Sequence, residues 1–128
     1  MKADDYNVIH FSLSLKRYAE LCQVDLLIHD PLSVEVEGKT YTIPCFELAR
    51  IFVHERFRCQ GLGNNMLDRI AVFADIYRYA VVLTDSTAYG SDAKRLRKFY
   101  TRKGYRTCDS LGIQCKHSLI RLPIKKAA

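Results

Sequence analysis

No stretch of this 128-residue chain stays apolar for the roughly 18 residues that a membrane-spanning helix needs. Its opening, Met1-Lys2-Ala3-Asp4-Asp5-Tyr6, also lacks the apolar core of a secretory signal. We expect a cytoplasmic protein with no membrane partner. No Cys-x-x-Cys pair occurs, and the five cysteines (Cys22, Cys45, Cys59, Cys108, Cys115) are scattered and odd in number, which points to reduced thiols. The four histidines, His10, His29, His54 and His117, are equally dispersed, so the sequence gives a metal centre no support and we expect none. Internal repeats, linkers and low-complexity segments are absent too. What is present is 48% hydrophobic and 27% charged residues, an ordinary globular balance, in a length that fits one domain over residues 1–128. The net charge of +6 favours an anionic partner, either a phosphate-bearing small molecule or nucleic acid.

Periodicity divides the chain into elements. Residues 8–11 read as a short strand and residues 13–23 as a helix, with Leu15, Tyr18, Ala19 and Cys22 at helical spacing. Asp30-Pro31 reads as a break. Residues 33–37 alternate as a strand, Gly38-Lys39 turns, and residues 40–43 return as a hairpin partner. Pro44 marks an edge or bend before a further strand at 45–53. Leu62, Met66, Ile70, Phe73 and Tyr77 then form one stripe of an amphipathic helix. The apolar run 80–84 follows as a strand covered on both faces, so strand, helix and strand make a unit whose two strands are parallel. Ser91 or Asp92 caps a second helix reaching Lys103, Gly104 ends it, and residues 105–108 and 118–122 form a closing hairpin.

The most informative segment is the turn between strand and helix, Arg58-Cys59-Gln60-Gly61-Leu62-Gly63-Asn64. Glycines let a backbone approach an anion closely, and the first-turn amides of a helix point at the negative charge. A Walker loop needs Gly-Lys-Ser/Thr, but Asn64 follows Gly63; a dinucleotide fingerprint needs a third glycine where this chain has Met66. The arrangement resembles motif A of the GNAT superfamily of N-acetyltransferases, Gln/Arg-x-x-Gly-x-Gly/Ala, here met by Ile51, Val53, Phe57, Arg58, Gln60, Gly61 and Gly63. A second signature, Leu96-Arg97-Lys98-Phe99-Tyr100-Thr101-Arg102-Lys103-Gly104-Tyr105, looks like motif B of the same family, one helix and one strand downstream. Many members carry Asn and Ala where this chain has Ala93 and Leu96; Asp92, one place from the Asn position, is the candidate substitute in contacting pantetheine. The resemblance is specific from about Glu47 to Gly104. It implies a mixed α/β (α+β) fold with a splayed sheet flanked by helices, and acetyl-CoA as cosubstrate with no metal.

Transfer of an acetyl group from a thioester to an amine requires a fixed thioester, a neutral nucleophile, a stabilised oxyanion and a proton for the departing thiolate. The resemblance assigns thioester polarisation to the backbone amides of Phe52 and Val53. It assigns pyrophosphate binding to Arg58 and the amides of Cys59, Gln60, Gly61, Leu62, Gly63 and Asn64. The resemblance to motif B places the Tyr100 phenol near the coenzyme sulfur and makes it the candidate general acid, since a phenol of pKa about 10 stays protonated at neutral pH. Glu47 is the candidate general base; simple alternation puts it on one strand face with Ala49, Ile51 and Val53, an apolar setting that would raise its pKa. Cys59 is the thiol whose pKa the helix N-terminus and Arg58 would lower. The cluster Lys94, Arg95, Arg97, Lys98, Arg102, Lys103 and Arg106 offers an anionic docking surface over residues 94–106, for the 3′-phosphate of the cofactor, for RNA or for an acidic protein. We expect an N-acetyltransferase, monomeric or homodimeric, acting on a protein lysine or N-terminal amine. The alternatives are a small-molecule amine acceptor, a toxin-like aminoacyl-tRNA acetyltransferase, and a coenzyme A-binding interaction protein without turnover.

Overall fold

A computed structural model describes residues 3–57, 60–84, 93–113 and 117–124. The order is α1 (Ala3–Leu15), a 3₁₀ turn, β1 (Cys22–Val36), β2 (Lys39–Val53), a second 3₁₀ turn, α2 (Leu62–Tyr77), β3 (Ala80–Leu83), α3 (Ala93–Arg102), β4 (Arg106–Thr107), a third 3₁₀ turn and β5 (Leu119–Arg121). The five strands form one sheet in the order β1-β2-β3-β5-β4. β2 and β3 are parallel and the other neighbours antiparallel, which makes it a mixed α+β sheet with three helices. No helix among the described residues is long and apolar enough to cross a membrane.

The unit β2–α2–β3 matches the reading from periodicity, as does the turn at Gly38. The N-terminal third does not. Residues 8–11 lie inside α1, where Val8 and Leu15, seven apart, are buried and Phe11 stacks on Phe73 of α2 at 4.3 Å. Burial of one helical stripe thus overrides the local β-branched preference of Val8-Ile9. The helix expected over 13–23 stops early, and from Cys22 the chain is strand, because β1 has the whole length of β2 to pair with. Nor do Asp30-Pro31 and Pro44 end their strands. His29 pairs with Cys45 and Leu32 with Ile43, so Asp30 and Pro31 together oppose Pro44 in a bulge, where prolines that cannot donate to a ladder are tolerated.

Two bulges decide which face each side chain takes. A second irregularity leaves Ala49 of β2 without a partner, since Asp25 pairs with Arg50 while Leu26 pairs with Leu48. The helix-side core therefore takes Phe46 and Leu48 before Ala49 but Ile51 and Val53 after it. It also takes Val24, Leu26, Met66, Leu67, Ile70, Val81 and Leu83. The opposite face carries a smaller cluster of Leu32, Cys45, Ala80, Val82, Cys108, Ile113 and Ile120, with Leu32 brought there by the Asp30-Pro31 bulge. This corrects the placement of Glu47 by alternation: it sits on the second face, opposite to Ile51 and Val53, because a one-residue insertion inverts the phase of a strand.

One buried ion pair ties α2 to β5. Arg121 donates from Nη1 and Nη2 to the two carboxylate oxygens of Asp75 at 2.8 and 2.9 Å, and the Ile124 amide donates to Oδ1 of the same carboxylate. The bidentate geometry compensates for the desolvation of the two charges.

Candidate functional site

β2 and β3 pair only at Cys45, Phe46 and Glu47, opposite Ala80, Val81 and Val82. β3 ends at Leu83, whereas β2 runs on to Val53 beside β1 alone, so the two parallel strands part just beyond Glu47. A strand that has left its neighbour turns every second amide toward the gap. The Phe52 backbone hydrogen-bonds the Cys22 thiol and the His54 amide donates to Leu21 O at 3.1 Å, both on the β1 side. By alternation the Val53 amide is turned the other way, toward the parted side. Of the two amides named from sequence, only Val53 therefore faces the opening.

The N-terminus of α2 lies beside that opening. Gly61 is its N-cap with φ +77°, a left-handed conformation that a residue with a Cβ adopts only at a cost, yet a Cβ there would meet nothing within 4 Å. Gly61 thus serves the turn's shape rather than its packing. Gly63 is the reverse: a Cβ would lie 3.6 Å from Phe99 Cζ of α3 and 3.9 Å from Val53 Cγ2, so the helix start fits between β2 and α3. Among the described residues no side chain caps the helix, and no acidic residue occupies its first turn. The first amide recorded in a bond back to Gly61 O is that of Asn65, at 2.9 Å. An uncapped helix start with glycines at its entrance suits an anion such as the pyrophosphate of coenzyme A. Gln60, Gly61, Leu62, Gly63 and Asn64 all lie in this turn. Arg58, Cys59 and Asp92 lie outside the described residues, as does Ser91.

Tyr100 is buried on α3, 5% exposed, with its ring 5.5 Å from Phe99 and edge-on to Tyr105 at 5.6 Å. Burial raises the pKa of Tyr105; the Arg121 charge acts in the opposite direction. Tyr100 belongs to the helix-side core, so it approaches the parted strands from the face opposite to Glu47.

Around Glu47 the structure gathers residues that sequence reading did not connect. His117, 8% exposed, brings Nε2 to 3.6 Å from Glu47 Oε1, and its Nδ1 lies 3.2 Å from Thr84 Oγ1 at the end of β3. His29 of β1 stands edge-on to the His117 ring at 5.2 Å. The only sequence signal for His117 was its place in a polar loop just before an apolar strand. The register β3–β5, which brings that strand alongside Leu83, is a long-range fact that no local pattern encodes. Among the described residues no group of three or more His, Cys, Asp or Glu is placed to hold a metal ion.

Part of the basic cluster has structural duties. Lys103 pairs with Asp68 of α2 at 3.0 Å, and Arg106 donates to the carbonyls of Thr101 and Tyr105. Lys94, Arg95, Lys98 and Arg102 remain exposed along α3. Cys22, Cys45 and Cys108 are buried, and none of the three is in a disulfide.

Comparison with known proteins agrees with this geometry. None of the curated proteins matches the chain. A family model described as an acetyltransferase (GNAT) domain matches residues 30–107, from the middle of β1 to the end of β4. That span holds the parting strands, the glycine turn and α3, and the chain belongs to the GNAT acetyltransferase family.

Proposed function

We propose that the chain transfers an acetyl group from acetyl-CoA to a primary amine by direct attack in a ternary complex, with a protein lysine or N-terminus as acceptor. The observation that carries this reading is the parting of β2 from β3 beside an uncapped helix start. In this reading the amides of Gln60, Gly61, Leu62, Gly63 and Asn64, with Arg58 and Cys59, hold the pyrophosphate. Asp92 meets the pantetheine arm, which lies along β2 and places the thioester carbonyl at the Val53 amide, with Phe52 shaping the same strand. Glu47 removes a proton from the ammonium form of the acceptor. The amine nitrogen attacks the thioester carbon, the Val53 amide stabilises the oxyanion, and the carbon–sulfur bond breaks. Tyr100 supplies a proton to the departing thiolate and recovers one from the amide nitrogen. One proton per turnover leaves through Glu47.

Calorimetric titration of acetyl-CoA into the protein tests the cofactor half of this reading. We expect one-site binding that Gly61→Glu abolishes, since a carboxylate in the turn repels the pyrophosphate and the left-handed cap disfavours a side chain. Absence of binding by the parent protein would end the reading.

A second reading, coenzyme A binding without turnover, draws on the burial of Tyr100 in the helix-side core. Acetylation of any amine that Tyr100→Phe impairs would eliminate it.

A further inference from the structure

We infer that His117 is a positioning residue for Glu47, and that Thr84 sets which nitrogen of His117 carries the proton. The inference rests on the reading of Glu47 as the base and adds the group that governs how readily it acts as one. Three elements converge here. Glu47 is the last residue of β2 paired with β3, Thr84 directly follows β3, and His117 precedes β5, whose Leu119 pairs with Leu83. The imidazole lies between the other two, Nε2 at 3.6 Å from the carboxylate and Nδ1 at 3.2 Å from the hydroxyl.

A neutral imidazole has one donor and one acceptor nitrogen, and the bond made at one fixes the role of the other. A Thr84 hydroxyl donating to Nδ1 leaves the hydrogen on Nε2, directed at Glu47 Oε1. At 3.6 Å the contact is electrostatic rather than a hydrogen bond: the buried Nε2 draws one carboxylate oxygen toward the ring and leaves the other to the amine. When the imidazole takes a second proton, Thr84 turns to accept from Nδ1, and Glu47 stands beside a full positive charge that opposes the approach of a cationic acceptor. Glu47 therefore works as a base while His117 is neutral and meets its substrate less readily as His117 charges. Acetyl transfer should lose activity on acidification through the imidazole's titration rather than through that of a lone carboxylate. Among the described residues the titratable and charged groups on this face include His29, edge-on to His117, the Cys45 and Cys108 thiols of the smaller apolar cluster, Arg106, which opposes Ile120 in register, and Asp25 and Arg50, paired with each other in register further along the strands. Neither member of the Asp25–Arg50 pair stands between Glu47 and His117.

The pair is testable without knowing the acceptor. Histidine labelled at Cε1 and both nitrogens is followed by NMR from about pH 5 to about pH 9, the range in which imidazoles titrate. His117→Gln assigns the resonance; should it fail to fold, His10→Gln, His29→Gln and His54→Gln assign it by elimination. In the parent protein we expect neutral His117 to carry its hydrogen on Nε2. Its midpoint should fall by about one pH unit in Glu47→Gln and recover in Glu47→Asp, because the carboxylate favours the charged ring. Thr84→Val should shift the tautomer balance toward Nδ1–H. A histidine present only for packing would show neither the coupled midpoint nor the tautomer change. Equal midpoints in the parent protein and Glu47→Gln would overturn the inference. That failure is distinct from failure of the acyl-transfer reading, which the acetyl-CoA titration decides with Glu47 and His117 intact.

Discussion

The two faces of the sheet are built on different terms. The helix side is filled by Phe46, Phe73, Tyr79, Leu67 and Ile70, with Phe46 and Ile70 entirely inaccessible, and all three helices contribute to it. The other face has a smaller apolar cluster around Ala80, Val82 and Ile120, and beside it lie His29, Glu47, Thr84 and His117. Stability is thereby concentrated where helices cover the strands, and titratable chemistry where strands and a loop meet. A sheet divided in this way can change its reacting groups with little cost to its core.

The sharpest way to break the comparison is on the helix side. Asp75→Ala should cost about 3 to 5 kcal/mol by strand-wide loss of the α2–β5 tie, because it leaves Arg121 charged in a buried site. Chemical denaturation measures it, and a loss below about 1 kcal/mol would place the pair among surface ion pairs instead. On the other face, Glu47→Gln should leave the denaturation midpoint nearly unchanged while lowering acetyl transfer about 100-fold or more, within the range of general base catalysis. A pH–rate profile that Glu47→Gln does not shift would remove Glu47 from the base role.

Alkaline pH separates the faces again. Tyr105 lies in the helix-side core at 2% exposure, and its burial raises the folded pKa above the ordinary phenol value of 10.0. For a phenol the protonated form is the neutral one, so the stabilisation is complete below the unfolded pKa. It is lost as pH rises through that value toward the folded one, at up to about 1.4 kcal/mol per pH unit. Tyr105→Phe should flatten the fall of the melting temperature above about pH 10. Cys22, whose thiol pKa burial also raises from 9.0, adds to the same trend slightly earlier. At the boundary between the faces, Gly61→Ala should cost about 1 kcal/mol, from the left-handed cap alone. The smallest effect is expected at Leu27, exposed on the face of Glu47: Leu27→Ser should change stability by less than about 0.5 kcal/mol.

The central unit of the fold could be read directly from the chain because its signals are local. An apolar strand, a glycine turn, a stripe at Leu62, Met66, Ile70 and Phe73, and a second apolar run each speak for themselves. The N-terminal third could not, because its structure depends on distant partners. Val8-Ile9-His10-Phe11 is helical because Phe73 offers Phe11 a stacking surface, and residues 22–36 are strand because β2 supplies a pairing edge. Motif A marked the glycine turn, and Glu47 lies where the pairing of β2 with β3 ends. His117 stayed hidden, since its tie to Glu47 spans 70 residues of chain and arises from the β3–β5 register. The face of Glu47 was misread for a different reason: alternation assumes an unbroken ladder, and the irregularity at Ala49 breaks it.

Ala49 also governs what lengthening or shortening of this strand would do. Removing that one residue would restore strict alternation without moving any side chain to the other face: Phe46, Leu48, Ile51 and Val53 would still point to the helix side and Glu47 away from it. A deletion at this point would therefore spare the faces on which Glu47 and the core residues stand, and variants of this chain one residue shorter in this strand should have lost the bulge.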